Sequence, residues 1–257
     1  MKTDRLASME EYIHLAEIVS MPELCERFQV SMNTVRRDVS ELLKKGSVEK
    51  VYGGVCSRKT QGQALKPFDA RCIDNESAKQ AIGRRAAELV QDGDIIFVDS
   101  GTTTLQIIEH LITKQDLTIV TNNLEVILRA LPYDNLNIIA LPGQLRRKTH
   151  SFTGMSAVRE LRAYNIRKAF LASTGATLQG VTNSSPLEYE IKRCAVENSE
   201  QSILMLCSAK FSVAGLMTYA TFGDFDSIIT DQPLPQPYAA AIEESGAKLL
   251  LPSNHQG

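Results

Sequence analysis

Apolar residues recur at helical spacing three times within the first 46 positions. Leu6, Met9, Ile13 and Ala16 form one stripe, Leu24, Cys25 and Phe28 a second, and Val35, Val39, Leu42 and Leu43 a third. The third is bracketed by its own start and stop signals. The Ser31 hydroxyl can accept from the first free backbone N–H groups, and Gly46 follows Lys44 and Lys45, cations suited to the negative end of a helix. Pro22 suits the first turn of the second helix, and only residues 29–31 separate it from the third. Two short helices joined by so tight a turn predict a helix-turn-helix, with the first stripe supplying a third helix. The pattern then switches to alternation around Val48, Val51 and Val55, with Gly53-Gly54 between, which predicts a short β-ribbon, the wing of a winged helix.

After Ser57 the pattern lapses. Residues 58–75 are polar and contain Pro and Gly, and are expected to be a linker. From residue 76 to 257, strand-like apolar runs such as IIFV, LTIVT, LNIIAL, KAFLA, SILMLC and SIITD alternate with helical stretches. "TTLQIIEHLI", "LEVILRAL" and the segments around 186–197 and 237–245 are expected to be helices. The expected fold class is therefore α/β: an N-terminal winged helix-turn-helix over 1–57, a linker over 58–75, and an α/β domain over 76–257 with a mostly parallel sheet covered on both faces.

On a helical wheel with the third stripe inward, Asn33, Arg37, Ser40 and Lys44 face outward, Arg36 lies on one flank, and Thr34 and Asp38 on the other. Such a face can contact the major groove, with Arg37, Asn33 and Thr34 toward bases and Arg36 and Lys44 toward phosphate. Tyr52, Gly53 and Gly54, with Lys50, are the wing candidates. Charge does not announce this role. The chain has 28 Lys+Arg against 30 Asp+Glu, and residues 1–59 carry ten against nine. DNA contact must come from where charges are placed. No run of about 18 apolar residues exists, so no membrane span is expected. Five scattered cysteines without C-x-x-C suggest reduced thiols and a cytoplasmic protein, and four histidines show no metal-ligand spacing; no metal or cofactor is expected.

Ligands of parallel α/β sheets bind at the carboxyl ends of strands. Here those ends are small and polar. Asp99 is followed by Ser100, Gly101, Thr102, Thr103 and Thr104, which can present hydroxyls and backbone N–H groups to a phosphate. Thr121, Asn122 and Asn123 end the next strand; Gly143, Gln144, Arg146 and Arg147 follow a third; Lys210 follows a later one. Such edges suit a polar, anionic small molecule, with Asp99 and Asn122 on hydroxyls and Arg146 and Lys210 adding charge. The plainer alternative is ordinary capping of strand-to-helix turns.

Ser31, Thr34, Arg36, Arg37, Asp38, Gly46, Tyr52, Gly53 and Gly54 resemble the N-terminal pattern of the DeoR family of bacterial transcriptional repressors. "DSGTTT", "TNN", "PGQLR", "GVTN" with "EYEIK", and "AKF" resemble its C-terminal domain. The resemblance implies a domain similar to ribose-5-phosphate isomerase that binds phosphorylated sugars, with Glu188 added to the candidate site. It also implies operator DNA as partner and a homodimer or homotetramer. The wording "EEYI", "ELCERF", "NTVRRD" and "EKVYGGV" is especially close to members that control inositol catabolism. One departure stands out: Cys207 occupies a position, three residues before Lys210, where the family commonly has Asp.

Two functions follow. One is a repressor of a carbohydrate-catabolism operon, relieved by a phosphorylated sugar. The other is a phosphosugar isomerase or transferase with an accessory DNA-binding domain, using Asp99 or Glu188 as base and Lys210 to stabilise an enediolate. The repressor reading is preferred, because no second carboxylate is placed to shuttle a proton; no catalytic residue is expected.

Overall fold

The computed structural model describes residues 2–16, 18–51, 54–57 and 66–252. The chain divides into two compact units, 1–61 and 62–257.

The first unit comprises α1 (Lys2–Ala16), β1 (Ile18–Ser20), α2 (Met21–Phe28), α3 (Met32–Lys45), β2 (Val48–Val51) and β3 (Gly54–Ser57). Met9, Ile13, Leu24, Val35, Val39 and Leu42 are buried together with Val19, Val48 and Val55, so the three stripes converge on one core. Ser20 caps α2, accepting from the Glu23 amide, and Ser31 caps α3, accepting from the Thr34 amide. Gly46 ends α3 in the left-handed region at φ 78°, which a glycine adopts without strain.

Two expectations change here. The helix expected over residues 5–18 stops at Ala16, and residues 18–20 form a strand. That strand pairs antiparallel with β3, in the order β1-β3-β2, so the wing is three-stranded. Three β-permissive residues are too few to leave a period of their own. Asp38 also leaves the outward flank: it is 1% exposed and accepts from Arg5 Nε at 2.8 Å. A wheel drawn for one helix cannot register a cation brought by another.

The second unit begins inside the expected linker. Residues 58–65 lie outside the described residues, but 68–73 form α4 (Phe68–Ile73), and Phe68 belongs to the main core. Then come α5 (Glu76–Ala87), β4 (Ile95–Val98), β5 (Leu117–Thr121), α6 (Leu124–Ala130), β6 (Leu136–Ala140), β7 (Gln144–Arg146), β8 (Ser151–Thr153), α7 (Met155–Leu161) and β9 (Ile166–Leu171). They are followed by β10 (Gly175–Thr177), β11 (Gly180–Asn183), α8 (Pro186–Glu197), β12 (Ser199–Met205), β13 (Met217–Ala220), β14 (Ser227–Ile229), α9 (Gln236–Glu244) and β15 (Lys248–Leu250). Seven strands form a parallel sheet in the order β15-β14-β12-β9-β4-β5-β6. The order runs outward in both directions from the β4/β9 junction, a topological switch point, where such sheets leave a crevice at the carboxyl ends.

Two further expectations are corrected. Residues 104–110 form a 3₁₀ helix, not an α-helix. Residues 144–146 do not simply follow a strand end: they form one arm of the β7-β8 hairpin. A small antiparallel sheet, β10-β11-β13, was not anticipated. Its strands are three or four residues long, too short for alternation to show.

Candidate functional site

The outward face of α3 carries Asn33, Arg36, Arg37, Ser40 and Lys44, all exposed. Lys45 differs from Lys44, pairing with Glu10 at 2.6 Å. Ser31 and Thr34 are partly committed to the cap, their hydroxyls 3.0 Å apart. Lys50 on β2 is exposed. Gly54 has a structural reason to be glycine. It is buried opposite Ser20, and a Cβ there would stand 2.2 Å from the Val19 carbonyl oxygen. It therefore lets β1 close on the wing. Tyr52 and Gly53 lie outside the described residues.

At the β4/β9 switch point the structure forms a cleft of about 100 Å³. Ser100, Gly101 and Thr102 line it after β4, and Ala172, Ser173 and Thr174 after β9. Asn183 ends β11, Glu188 and Lys192 come from α8, Lys210 from the turn after β12, and Arg71 from α4. Of the expected residues, Ser100, Gly101, Thr102, Glu188 and Lys210 meet here.

Asp99 does not line the cleft and is corrected from a sugar-hydroxyl partner to an organiser beneath it. One carboxylate oxygen accepts from the Gly101 amide at 2.9 Å and the Thr104 hydroxyl at 2.7 Å. The other accepts from the Ala172 amide at 3.0 Å and from Lys192 Nζ. Both oxygens are thus spent within the protein. Thr103 and Thr104 are buried away from the cleft. Thr121 donates to the Val98 carbonyl at 2.6 Å, and the Asn122 side-chain amide to the Phe152 carbonyl at 3.2 Å. Asn123 caps α6 through its Oδ1 and donates to the Asp99 carbonyl at 3.2 Å. These three secure strand ends and none lines the cleft. Gly143 and Arg146 also stand elsewhere, in the hairpin, where Arg146 Nε donates to Thr153 at 3.3 Å. The expected phosphate seat at a helix N-terminus loses its basis, since the Gly101 amide turns inward and the helix is a seven-residue 3₁₀ segment.

Charge in the cleft is mixed but weighted positive. Lys192 is matched to Asp99 and not to Glu188, four residues before it on α8. Glu188 instead accepts from the Ser100 and Ser151 hydroxyls, at 3.2 and 2.8 Å. Lys210 Nζ donates to the Ser173 carbonyl at 3.0 Å. Burial pushes the Lys210 ammonium down to about 8, with Lys79, Arg71 and Lys192 adding to the fall. Burial likewise pushes the Cys207 thiol up, so the position where the family commonly has a carboxylate holds a neutral group. The carboxylate at that turn is Asp231, which accepts from the Ser208 amide at 2.6 Å and hydroxyl at 3.1 Å.

Sequence reasoning missed Arg71, Ser173, Thr174, Asn183 and Lys192 as cleft residues. Asn183 and Lys192 stand in the "GVTN" and "EYEIK" stretches, which offered a signal. Arg71 was hidden in the supposed linker, where Phe68 and Cys72, four apart, were the trace of a helix. Among the described residues, no group of three His, Cys, Asp or Glu side chains could hold a metal ion, and no helix is long and apolar enough to cross a membrane.

A winged helix-turn-helix joined to an α/β domain with a polar crevice defines a class of ligand-sensing DNA-binding regulators, and comparison with known proteins gives the family. Residues 5–61 match the DeoR-like helix-turn-helix domain and residues 74–232 the DeoR C terminal sensor domain. The chain belongs to the DeoR family of transcriptional regulators. It is 44% identical over 245 residues to the HTH-type transcriptional regulator IolR of Bacillus subtilis (strain 168), covering 95% of this chain and 97% of that protein. It is 30% identical over 230 residues to the transcriptional repressor AccR of Agrobacterium fabrum, covering 89% of each. Among solved structures, a D-ribose-5-phosphate isomerase in complex with phospho-erythronic acid matches 53% of this chain and 54% of that one, at 15% identity and a TM-score of 0.40.

Proposed function

We propose that this DNA-binding regulator represses a carbohydrate-catabolism operon and releases its operator when a phosphorylated sugar or sugar-derived effector enters the cleft at the β4/β9 switch point. The observation that carries this reading is the cleft itself: small hydroxyl residues on two neighbouring strand ends, lining one cavity with Lys210, Arg71 and Glu188. Hydroxyl and carboxylate groups suit a polyol, and the cations suit its phosphate. The close wording of the N-terminal segment to members controlling inositol catabolism makes that pathway the first to test. On DNA, Arg37 and Asn33 read bases in the major groove, Arg36 and Lys44 contact phosphate, and Lys50 approaches the backbone from the wing. A homodimer or homotetramer fits paired half-sites.

The test is fluorescence anisotropy on an operator selected from random-sequence DNA, titrated with a panel of sugar phosphates and their unphosphorylated counterparts. The reading requires at least one phosphate ester to release DNA where its free sugar does not. Release by none of them would remove the phosphosugar effector while leaving DNA binding intact. The isomerase alternative requires turnover of ribose 5-phosphate; the commitment of both Asp99 oxygens removes one of its two candidate bases and leaves Glu188 as the other.

A further inference from the structure

One cation of the cleft comes from an element outside the matched sensor domain. Arg71 sits on α4, before residue 74 where that match begins. Its guanidinium is held in place from two sides. The carbon Cζ lies 5.4 Å from the centroid of the Phe68 ring, and Nε donates to the Lys66 carbonyl at 3.2 Å. Phe68 is itself stacked on His150 at 4.9 Å, and His150 Nδ1 lies 2.8 Å from Glu125. The shelf under the guanidinium is therefore fixed.

What this fixed group lacks is a partner. Arg71 Nη2 is shut off from solvent and has no hydrogen-bond acceptor among the described residues. An N–H group in that position is costly to leave unsatisfied, more so when charged. Lys210, on the same cleft, uses one of its three donors on Ser173. The carboxylates nearby are engaged elsewhere, Asp99 with Lys192 and Glu188 with two hydroxyls. Burial lowers Arg71, with Glu188 and Asp99 partly offsetting the fall, and burial lowers Lys210, with the Arg71 charge adding to that fall. Two like charges beside an orphaned donor make a site that is completed by an anion with several acceptor oxygens.

We propose that Arg71 is an anion ligand of the cleft, its free Nη2 edge taking oxygens of the effector's phosphate opposite Lys210, so that the effector grips α4. This rests on the reading of the cleft as the effector site. It adds a route for the signal. α4 is the first helix after the DNA-binding unit, and the covalent connection between the two runs through residues 58–67. α4 is tied to the sensor unit by the buried Phe68 ring, by the Phe68 amide, which donates to the Lys148 carbonyl at 2.9 Å, and by Lys79 Nζ, which donates to the carbonyls of Arg71 and Asp74. An anion held by Arg71 adds a tie that depends on the ligand. Occupancy then sets how firmly the end of the connection is seated.

The experiment uses the full chain and two probes, inorganic phosphate and ribose 5-phosphate, against chloride at matched ionic strength. Calorimetry gives affinity, and amide hydrogen exchange gives protection of residues 68–73. For the unaltered protein, the expected results are saturable binding of at least one probe and at least five-fold slower exchange in 68–73. Arg71→Gln and Arg71→Met, both long enough to keep contact with Phe68, should lose at least ten-fold in affinity, as should Lys210→Gln. Binding lost in Lys210→Gln but retained within two-fold by the Arg71 variants overturns the role of Arg71 and leaves the effector site standing. Binding without slower exchange in 68–73 overturns the grip on α4, a result that needs no variant to fold. Absence of saturable binding of either probe to the unaltered protein overturns both the inference and the phosphate site beneath it.

Discussion

Single residues in this protein fall into those that face outward and those that hold others in place. Arg37 is exposed on α3. Its replacement by Ala should cost about 1–3 kcal/mol of operator over random-sequence affinity if its guanidinium pairs with a guanine edge. Competition binding checks this, and unchanged preference would end the base-reading role. Asp99 is the opposite case. With Asp99 and Lys192 both buried, Asp99→Asn leaves an ammonium without its counter-charge and should destabilise the sensor unit by about 3–5 kcal/mol, read by denaturant unfolding. Gly101 shows how a geometric fact changes an experiment. A Cβ there would lie 2.3 Å from the Ala172 Cβ and 2.9 Å from Asp99 Oδ1. Even Gly101→Ala is overpacked and should lose about 1–3 kcal/mol of stability, so blocked response in a bulkier variant would not by itself locate a ligand. Lys210 supplies a pH dependence. Its charged form is the one that holds an anion, and with a free-protein value of about 8, phosphate affinity should fall as pH rises through that value, once the phosphate is already a dianion. Calorimetry from about pH 7.5 to 9.5, above the phosphate's own ionisation, tests the sign. Affinity that rises across that range would exclude Lys210 as the cationic partner.

At the scale of elements, legibility followed length and self-sufficiency. Helix α3 was readable from residues 31–46 because its cap, stripe and stop are all local, and Ser31→Ala should lower the stability of the first unit by about 0.5–2 kcal/mol, measured by thermal melting. The parallel strands were readable because burial on both faces leaves continuous apolar runs. What escaped was whatever depends on a distant partner. β1 exists because β3 lies beside it and Gly54 lets it approach. The hairpin β7-β8 took Gly143 and Arg146 away from the edge they were expected to line. α4 looked like linker because its surroundings are polar, yet Phe68 belongs to the core and Arg71 to the cleft. The site was half legible for the same reason. Hydroxyls after β4 and the cation after β12 announce themselves at strand ends, whereas the pairing of Lys192 with Asp99 links positions 93 apart. That spacing leaves no trace in a local pattern.

The whole molecule couples a reading head, 1–61, to a sensor, 62–257. If effector and operator favour different states, each must weaken the other by the same factor, so operator DNA should lower effector affinity as much as effector lowers operator affinity. Matched titrations close or break that cycle. The carboxylate of Asp99 gathers the Gly101 amide, the Thr104 hydroxyl, the Ala172 amide and Lys192, tying the loops after β4 and β9 to α8 without help from any ligand. This has a consequence in time as well as in shape. A floor already assembled leaves no slow ordering step ahead of capture. Stopped-flow traces should therefore be single exponentials whose rates climb in proportion to effector concentration. A rate that levels off would expose a gate, and the gate would belong to the wall formed by α4.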